Sequence, residues 1–309
     1  MKAIIPERFG CASKISLSEI KSIRSNTVPF SHHKIYDASI REFCGMQVAS
    51  SIDKVYDLGL PPQDFALAAF THCARDLLAA GAKPVSCDIA FEFGLDASEA
   101  ERKDLSVAFA QFLTTNDIII GKIHSGFANT TSATLSLIGP IIATFRDLPS
   151  KGTVLLSEPI GKLHQLYFSA IRNNRDYLKV VDSINKPYFS IIDKLSKLIS
   201  GWTDVSGYGL IGSLIMISDQ FEVDIEFDNN SVNSLFSSMD VIPPCLISDA
   251  DGLEIPPLIT ENQKKVLSLR EICGPMLCLC DNDNVHEIKE LLYSIECKPI
   301  IIGNYTKRI

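Results

Sequence analysis

Four aspartates at widely separated positions in this sequence have the chemistry of magnesium ligands. Asp37, Asp53, Asp76 and Asp204 each stand next to a strand-like or helix-like segment that could carry them to a common place. Mg²⁺ takes few protein carboxylates and fills its remaining positions with water and phosphate oxygens. Together the four carboxylates predict several Mg²⁺ ions that bridge a polyphosphate. For Asp76 alone, pairing with a nearby lysine or arginine on a helix surface stays open as the structural alternative.

A glycine-rich segment, Thr203–Gly212, contains Asp204 and adds a possible phosphate contact. Its glycines would let backbone N–H groups approach a phosphate, and a helix that begins there would point its N-terminus toward the anion. The same letters fit the dinucleotide pattern Gly-x-Gly-x-x-Gly over Gly207–Gly212. However, Ile199–Thr203 is too polar and glycine-interrupted to be the first strand of a Rossmann unit. A plain helix start is the third interpretation.

Cys11 and Lys14 stand three residues apart in a segment with few apolar side chains. A nearby ammonium group lowers the pKa of a thiol and makes the thiolate more available as a nucleophile or as a ligand for a soft atom. Lys14 could also neutralise a phosphate. Without further context, a single cysteine in an N-terminal arm is more commonly incidental.

The composition is typical of a cytoplasmic globular protein with small-molecule partners. The 309 residues (34.0 kDa, 46% apolar) exceed what one core usually holds. A net charge of −8 and a pI near 5.3 argue against a nucleic-acid binder. Because no signal peptide is visible and no apolar run reaches about 18 residues, we expect neither secretion nor a membrane partner. The nine scattered cysteines predict reduced, mostly buried thiols.

Helix-like and strand-like segments alternate along both halves of the chain. Hydrophobic periodicity predicts helices over 64–80, 98–113 (with Ser98 as N-cap), 163–172, 190–199, 208–218 and 285–294, and strands over 83–93, 117–123, 133–145, 153–156, 223–227, 276–280 and 299–302. The polar stretch 146–152 predicts a boundary between an N-terminal domain, 1–150, and a C-terminal domain, 151–309. The fold class is therefore α/β (α+β) in two domains.

Taken in order, these motifs resemble the selenophosphate synthetase (selenide, water dikinase) family of the aminoimidazole ribonucleotide synthetase-like superfamily. The similar motifs are the family's Gly-Cys-x-x-Lys loop at Gly10–Lys14, the end of its Asp-Asp-Ala-Ala element at Asp37-Ala38, a strand-end Asp at Asp53, the helix that ends in Gly-Gly-Lys-Pro at Ala74–Pro84, the His-Ser turn at His124-Ser125, the Lys-Pro-Leu-Gly turn at Glu158–Gly161 and the Thr-Asp-Val-Thr-Gly-Phe-Gly element at Thr203–Gly212. The resemblance covers nearly the whole chain.

The resemblance implies a fold, a reaction and a set of site residues. It implies a two-domain fold in which the N-terminal sheet forms a homodimer and ATP lies between the domains. ATP, selenide and water would give selenophosphate, AMP and phosphate. The implied roles are catalysis for Cys11 and Lys14, Mg²⁺ binding for Asp37, Asp76 and Asp204, and nucleotide binding for Lys14, Asp53, Asp76, His124 and Ser125.

The chain also departs from the family's motifs at several positions, and these departures leave three functions open. His72 stands in place of an Asn, Arg75 in place of a Ser, Glu158 in place of a Lys, and Lys122-Ile123 in place of two glycines. A carboxylate at Glu158 would repel a phosphate if it faced the nucleotide. Cys11 and Lys14 favour a selenophosphate synthetase over a small-molecule kinase of the same superfamily. The altered turns favour a non-catalytic homologue that binds nucleotide or a partner.

Overall fold

The computed structural model describes residues 37–171, 177–228 and 261–308, together with Ser231, Leu235 and Ile247. In these residues the chain forms two five-stranded sheets, one from each half of the sequence, with helices packed against both. The α/β class predicted from the sequence is therefore confirmed.

The N-terminal sheet has the strand order β1-β2-β5-β3-β4. Its strands are β1 (Ser39–Phe43), β2 (Met46–Tyr56), β3 (Ser86–Gly94), β4 (Ile119–Ala128) and β5 (Ser132–Pro140). Strands β3 and β4 are parallel and the other neighbours are antiparallel. A parallel pair needs a crossover, and helix α2 (Glu99–Thr115) supplies it. Helix α1 (Pro62–Ala79) packs beside α2 on the same face of the sheet.

Side chains along β3 alternate between the two faces of the sheet, and the helices cover only one of these faces. Cys87, Ile89, Phe91 and Phe93 are buried under the helices, and the intervening residues point the other way. The ring of Phe91 meets that of Phe109 on α2 edge to face, with centroids 5.2 Å apart. Among the described residues no helix covers the opposite face, which we call the open face.

The C-terminal sheet is antiparallel throughout, in the order β7-β9-β6-β10-β8. Its strands are β6 (Lys151–Leu156), β7 (Ile199–Asp204), β8 (Val223–Phe227), β9 (Met276–Cys280) and β10 (Ile300–Lys307), and its helices are α3 (Lys162–Ile171), α4 (Tyr177–Ile184), α5 (Ile192–Leu195), α6 (Gly209–Phe221), α7 (Glu261–Leu267) and α8 (Val285–Ser294). Every residue of β9 is buried, because alternate side chains enter two cores on opposite faces of the sheet.

Helix α1 connects the two halves. Besides covering the N-terminal sheet, it contacts β7 of the C-terminal sheet. Trp202 on β7 is 1% exposed, and its indole Nε1 donates a hydrogen bond to the carbonyl oxygen of Leu78 at 3.0 Å. Leu78 and Ala79 share a core with Trp202. We call this contact between the end of α1 and β7 the seam.

Several predicted elements have the bounds expected from the sequence, and others differ from it, such as the strand predicted over 299–302, which continues to Lys307. Strands β8 and β9 and helix α8 begin and end where they were predicted, and the side chain of Ser98 caps α2 as expected. The helix predicted over 190–199 is wrong, because only the four-residue α5 lies there and β7 begins at Ile199. The strand predicted over 133–145 ends at Pro140. Asp53 lies within β2 and not after it.

The sheets are consistent in position with the expected domain division, since the first ends before residue 150 and the second begins after it. The division itself stays a prediction. In the described part of the chain, no helix is long and apolar enough to cross a membrane. The seven cysteines that the structure describes are free thiols, and all but Cys44 are buried, as predicted.

Candidate metal centre

Three of the predicted aspartates meet in one cluster, which we call the triad. One carboxylate oxygen from each of Asp37, Asp76 and Asp204 lies within 4.8 Å of the other two. Asp37 precedes β1, Asp76 is on α1, and Asp204 ends β7. Two ligands therefore come from the N-terminal half and one from the C-terminal half.

Hydroxyl groups hold two of the three carboxylates in place. Thr203 Oγ1, from the end of β7, donates to Asp37 Oδ2 at 2.5 Å. Ser51 Oγ, from β2, donates to Asp76 Oδ2. Each aspartate is thus oriented by an element other than its own. The sequence interpretation named neither hydroxyl group. The only signal in the sequence is that Thr203 precedes Asp204 and that Ser51 lies two residues before Asp53.

The pKa of Asp76 is raised well above its usual value. Burial is the largest cause, followed by the charges of Asp53, Asp204 and Asp37, whereas the hydrogen bond from Ser51 acts in the opposite direction. Burial and like charges both penalise an ionised carboxylate. A cation placed among these oxygens would reverse the penalty, because the ionised form would then be the favoured one.

The triad fits Mg²⁺ by donor type and by spacing. All three donors are hard carboxylate oxygens, and Mg²⁺–oxygen bonds of about 2.0–2.1 Å require ligand oxygens roughly 3–4 Å apart. The 4.8 Å limit on the observed oxygen separations is close to that range. Three carboxylates leave half of an octahedral shell for water and phosphate oxygens. Among the residues described, no other three His, Cys, Asp or Glu side chains converge in this way.

Asp53 lies beside the triad and not in it. It is on β2 two residues after Ser51, so both side chains point to the face that α1 covers. Asp53 is the charge with the greatest effect on the pKa of Asp76. The structure therefore brings all four predicted carboxylates to one region, with Asp53 in a second layer.

The glycines that follow Asp204 have packing roles. Gly209 has φ +67°, and a Cβ there would lie 2.7 Å from the carbonyl oxygen of Leu267. A Cβ on Gly212 would lie 2.2 Å from the Cβ of Tyr208. Helix α6 begins at Gly209, and Ser213 Oγ donates back to the carbonyl oxygen of Asp204 at 2.9 Å. Close packing thus explains these two glycines, whereas the sequence interpretation assigned them to phosphate approach.

His124 and Ser125 are not near the triad within one chain. Both are exposed residues of β4, the edge strand, and not of a turn. The register leads from Asp53 through β5 and β3 to Ile123, the neighbour of His124. Three strand spacings of about 4.8 Å give a separation of roughly 14 Å. Successive strand residues also point to opposite faces, and His124 pairs with Ala90 on the open face.

Cys11 and Lys14, the predicted catalytic residues, lie outside the described residues.

A buried ionic cluster close to the triad was not anticipated. Glu158 is 5% exposed, and its Oε1 accepts hydrogen bonds from Lys162 Nζ at 2.7 Å and from Tyr188 Oη at 3.0 Å. The guanidinium of Arg75 lies 3.9 Å from the same oxygen and over the ring of Tyr188. Burial lowers the pKa of Lys162, and the charge of Glu158 opposes that effect. Glu158 is therefore enclosed and paired with Lys162 and Tyr188, so its carboxylate is not free to face a nucleotide.

Glu271 was also not among the site residues predicted from the sequence. Its carboxylate accepts hydrogen bonds from the backbone N–H groups of Gly161, Lys162 and Leu163, so it caps the start of α3. Burial raises the pKa of Glu271 to about 7, against the lowering effect of these hydrogen bonds. Its only sequence signal was a carboxylate that follows Arg270 and comes directly before the largely apolar run Ile272–Cys280.

Solved structures that superpose on this chain show its fold. Thiamine monophosphate kinase from Aquifex aeolicus superposes with a TM-score of 0.61 at 11% identity, over 95% of this chain and 96% of that one. Hydrogenase maturation protein HypE in complex with ATP superposes with a TM-score of 0.60 at 15% identity, over 96% and 88%. The chain therefore has the aminoimidazole ribonucleotide synthetase-like fold.

Sequence comparison adds a similarity to proteins of one particular activity. Two proteins named selenide, water dikinase, from Shewanella sp. strains MR-4 and MR-7, are each 24% identical to this chain over an alignment of 325 positions, gaps included. The alignments cover 96% of this chain and 90% of each relative. No family model matches the sequence. The chain is thus similar in sequence, over nearly its whole length, to proteins named selenide, water dikinase.

Proposed function

We propose that this chain is an ATP-dependent phosphotransferase whose triad binds the Mg²⁺ ions of the nucleotide. The observation that carries the proposal is the convergence of Asp37, Asp76 and Asp204, which are far apart in sequence, to within 4.8 Å. Such a cluster of like charges is costly without a cation. The similarity to HypE in complex with ATP supports a nucleotide as the ligand.

Within this class we propose the synthesis of selenophosphate from ATP, selenide and water, with AMP and phosphate as the other products. Support comes from the two relatives named selenide, water dikinase, which align over nearly their whole length. Cys11 and Lys14 are proposed as the catalytic thiol and the phosphate-binding cation, because the Gly10–Lys14 segment resembles the loop that characterises this family.

The residues of this chain would contribute mainly positioning and charge. Mg²⁺, when bound, would neutralise the negative charge that develops on the phosphoryl oxygens. Ser51 and Thr203 hold the carboxylates of Asp76 and Asp37 in place, so little reorganisation is needed when cations arrive. The thiolate of Cys11 is proposed to handle selenium, and the ammonium of Lys14 to contact the transferred phosphate.

We also propose a homodimer formed through the open face. Ile52 and Ile138 lie on this face and are 69% and 39% exposed, and edge strand β4 exposes further apolar side chains. An uncovered apolar sheet with an unpaired edge favours association with another chain. Because His124 is remote from the triad of its own chain, a role for it in nucleotide binding would require the second copy.

Product analysis tests the proposed reaction. Full-length protein is incubated with Mg·ATP, with and without selenide, and nucleotides are separated by chromatography while ³¹P spectra are recorded. Selenide-dependent AMP supports the proposal. ADP with an added acceptor would indicate a small-molecule kinase. Binding of Mg·ATP without turnover would favour the non-catalytic homologue, which the altered residues Lys122 and Ile123 make the second candidate.

A further inference from the structure

Arg75 is a buried guanidinium with no hydrogen bond to any described residue. Its side chain is 2% exposed, and Nε, Nη1 and Nη2 are all buried without a hydrogen-bond partner. A guanidinium presents five N–H donors in a planar fork. Buried donors without acceptors are rare because they lose their water and gain nothing in return. The described residues therefore supply no hydrogen-bond acceptor for this side chain.

Glu158 is not that acceptor. Its Oε1 already receives Lys162 Nζ at 2.7 Å and Tyr188 Oη at 3.0 Å, whereas the closest approach of Arg75 is 3.9 Å. Glu158 would remain paired with Lys162 and Tyr188 if Arg75 were removed. One carboxylate also cannot balance the two cations around it, so Arg75 adds a positive charge that this cluster does not need.

The position of Arg75 places that charge next to the triad. It precedes Asp76 on α1. Burial lowers the pKa of Arg75, but neighbouring groups, Tyr188 most of all and Glu158 and Asp204 after it, raise the pKa by more, so the guanidinium stays charged. It also faces the C-terminal half, which provides Glu158 and Tyr188.

Two departures from the family's motifs meet at this point. In the motifs that the chain resembles, a Ser stands at the position of Arg75 and a Lys at that of Glu158. Here the cation is on α1 and the anion is on the segment after β6, and the two side chains are in contact. The pair of changes moves a positive charge across the boundary between the halves, toward the triad.

We propose that Arg75 binds a phosphate group of the nucleotide held at the triad. Its ligand class is a polyphosphate, because a guanidinium fork matches two phosphate oxygens and because the adjacent carboxylates would hold the accompanying Mg²⁺. The inference rests on the proposed function, since it needs a nucleotide at the triad. It adds a phosphate-binding residue that the motif resemblance does not supply.

Calorimetric titration of Mg·ATP, Mg·tripolyphosphate and adenosine into the full-length protein tests this role. Arg75→Met should weaken Mg·ATP and Mg·tripolyphosphate binding at least tenfold and leave adenosine binding unchanged. Arg75→Lys keeps the charge but loses the fork, so it should weaken both phosphate ligands at least threefold. If the Met variant does not fold, the Lys variant still provides the test. Glu158→Gln, the matched control, should bind Mg·ATP within twofold of the wild type.

Thermal unfolding without ligand separates this role from a structural one. If Arg75 only supports Glu158, Arg75→Met should melt below the wild type and bind Mg·ATP normally, which would overturn the inference. If Arg75 is a phosphate-binding residue, the Met variant should melt no lower than the wild type, because its orphaned donors are gone. Failure of the wild type itself to bind Mg·ATP would refute the proposed function, whereas normal binding by both Arg75 variants would refute only this inference.

Discussion

Replacing Asp76 by Asn should stabilise the metal-free protein and abolish its response to Mg²⁺. The substitution keeps the shape of the side chain and an oxygen that can accept the hydrogen bond from Ser51. It removes one negative charge from three that lie within 4.8 Å of each other. Stability and metal response should therefore change in opposite directions, which is not expected of an ordinary core mutation.

The size of the stabilisation follows from two limits. At an effective dielectric constant of 20, two unit charges 4.8 Å apart repel by about 3.5 kcal/mol, so Asp76 faces about 7 kcal/mol from two ionised neighbours. Protonation of Asp76 would relieve this repulsion, so the cost of protonation sets the second limit. From the ordinary pKa of 3.8, that costs about 4 kcal/mol at pH 7 and about 2 kcal/mol at pH 5.5. The smaller limit applies, so we expect a gain of about 4 kcal/mol at pH 7.

Thermal unfolding in EDTA and in Mg²⁺ measures both effects. At roughly 2 °C per kcal/mol for a chain of this length, Asp76→Asn should melt about 8 °C above the wild type in EDTA at pH 7, and about half as far above it at pH 5.5. Mg²⁺ should raise the melting temperature of the wild type alone. Asp96→Asn, an exposed aspartate in the turn after β3, is the matched control and should behave as the wild type.

Two results would refute this reasoning. If Asp76→Asn melted at or below the wild type in EDTA, the carboxylates would not repel one another in the folded protein. If Mg²⁺ still raised the melting temperature of the variant to the same extent as that of the wild type, the ion would bind elsewhere.

Two further predictions concern association and pH. Ile52→Asp on the open face should convert a 68 kDa dimer to a 34 kDa monomer, as measured by light scattering. The control Leu95→Asp should stay a dimer, because Leu95 is as exposed as Ile52 (73% against 69%) but lies in the turn after β3. A monomeric wild type would contradict the proposed dimer. Because the pKa of Glu271 rises from 4.5 to about 7 on folding, the native state keeps a proton that the unfolded chain releases, and stability falls as pH rises between these values. Chemical unfolding should show this loss, about 3 kcal/mol over 2.5 units, in the wild type but not in Glu271→Gln; parallel pH profiles would count against it.

The sequence predicted an element well where apolar residues have clear borders. Met276–Cys280 is five apolar residues between Pro275 and Asp281, and it forms β9 with those bounds. Ile199–Thr203 reads as polar and glycine-interrupted, and the sequence predicts a helix over 190–199, whereas the structure has strand β7 from Ile199. The structure explains the glycine, because a Cβ on Gly201 would lie 2.0 Å from Cζ of Phe221. That requirement comes from a residue twenty positions away, which periodicity cannot reveal.

The candidate site was predictable residue by residue and not as an arrangement. Motif order indicated the aspartates, but the hydroxyls of Ser51 and Thr203 that hold them depend on which strands lie beside which carboxylate. The departures at Arg75 and Glu158 are far apart in the sequence, and only the carboxylate at Glu158 looks unfavourable for phosphate binding when each is taken alone. In the structure they lie 3.9 Å apart, and long-range pairing of this kind is visible only in three dimensions.

Trp202 is the one tryptophan of the chain, and it lies at the seam between α1 and β7. Its indole is packed edge to face against Phe145 and Tyr188 and is hydrogen-bonded to the carbonyl oxygen of Leu78. Intrinsic fluorescence excited at the indole band therefore comes from a single place, where the two halves of the molecule meet. A red shift of that emission would signal water entering the seam, so separation of the halves can be followed without attaching a dye.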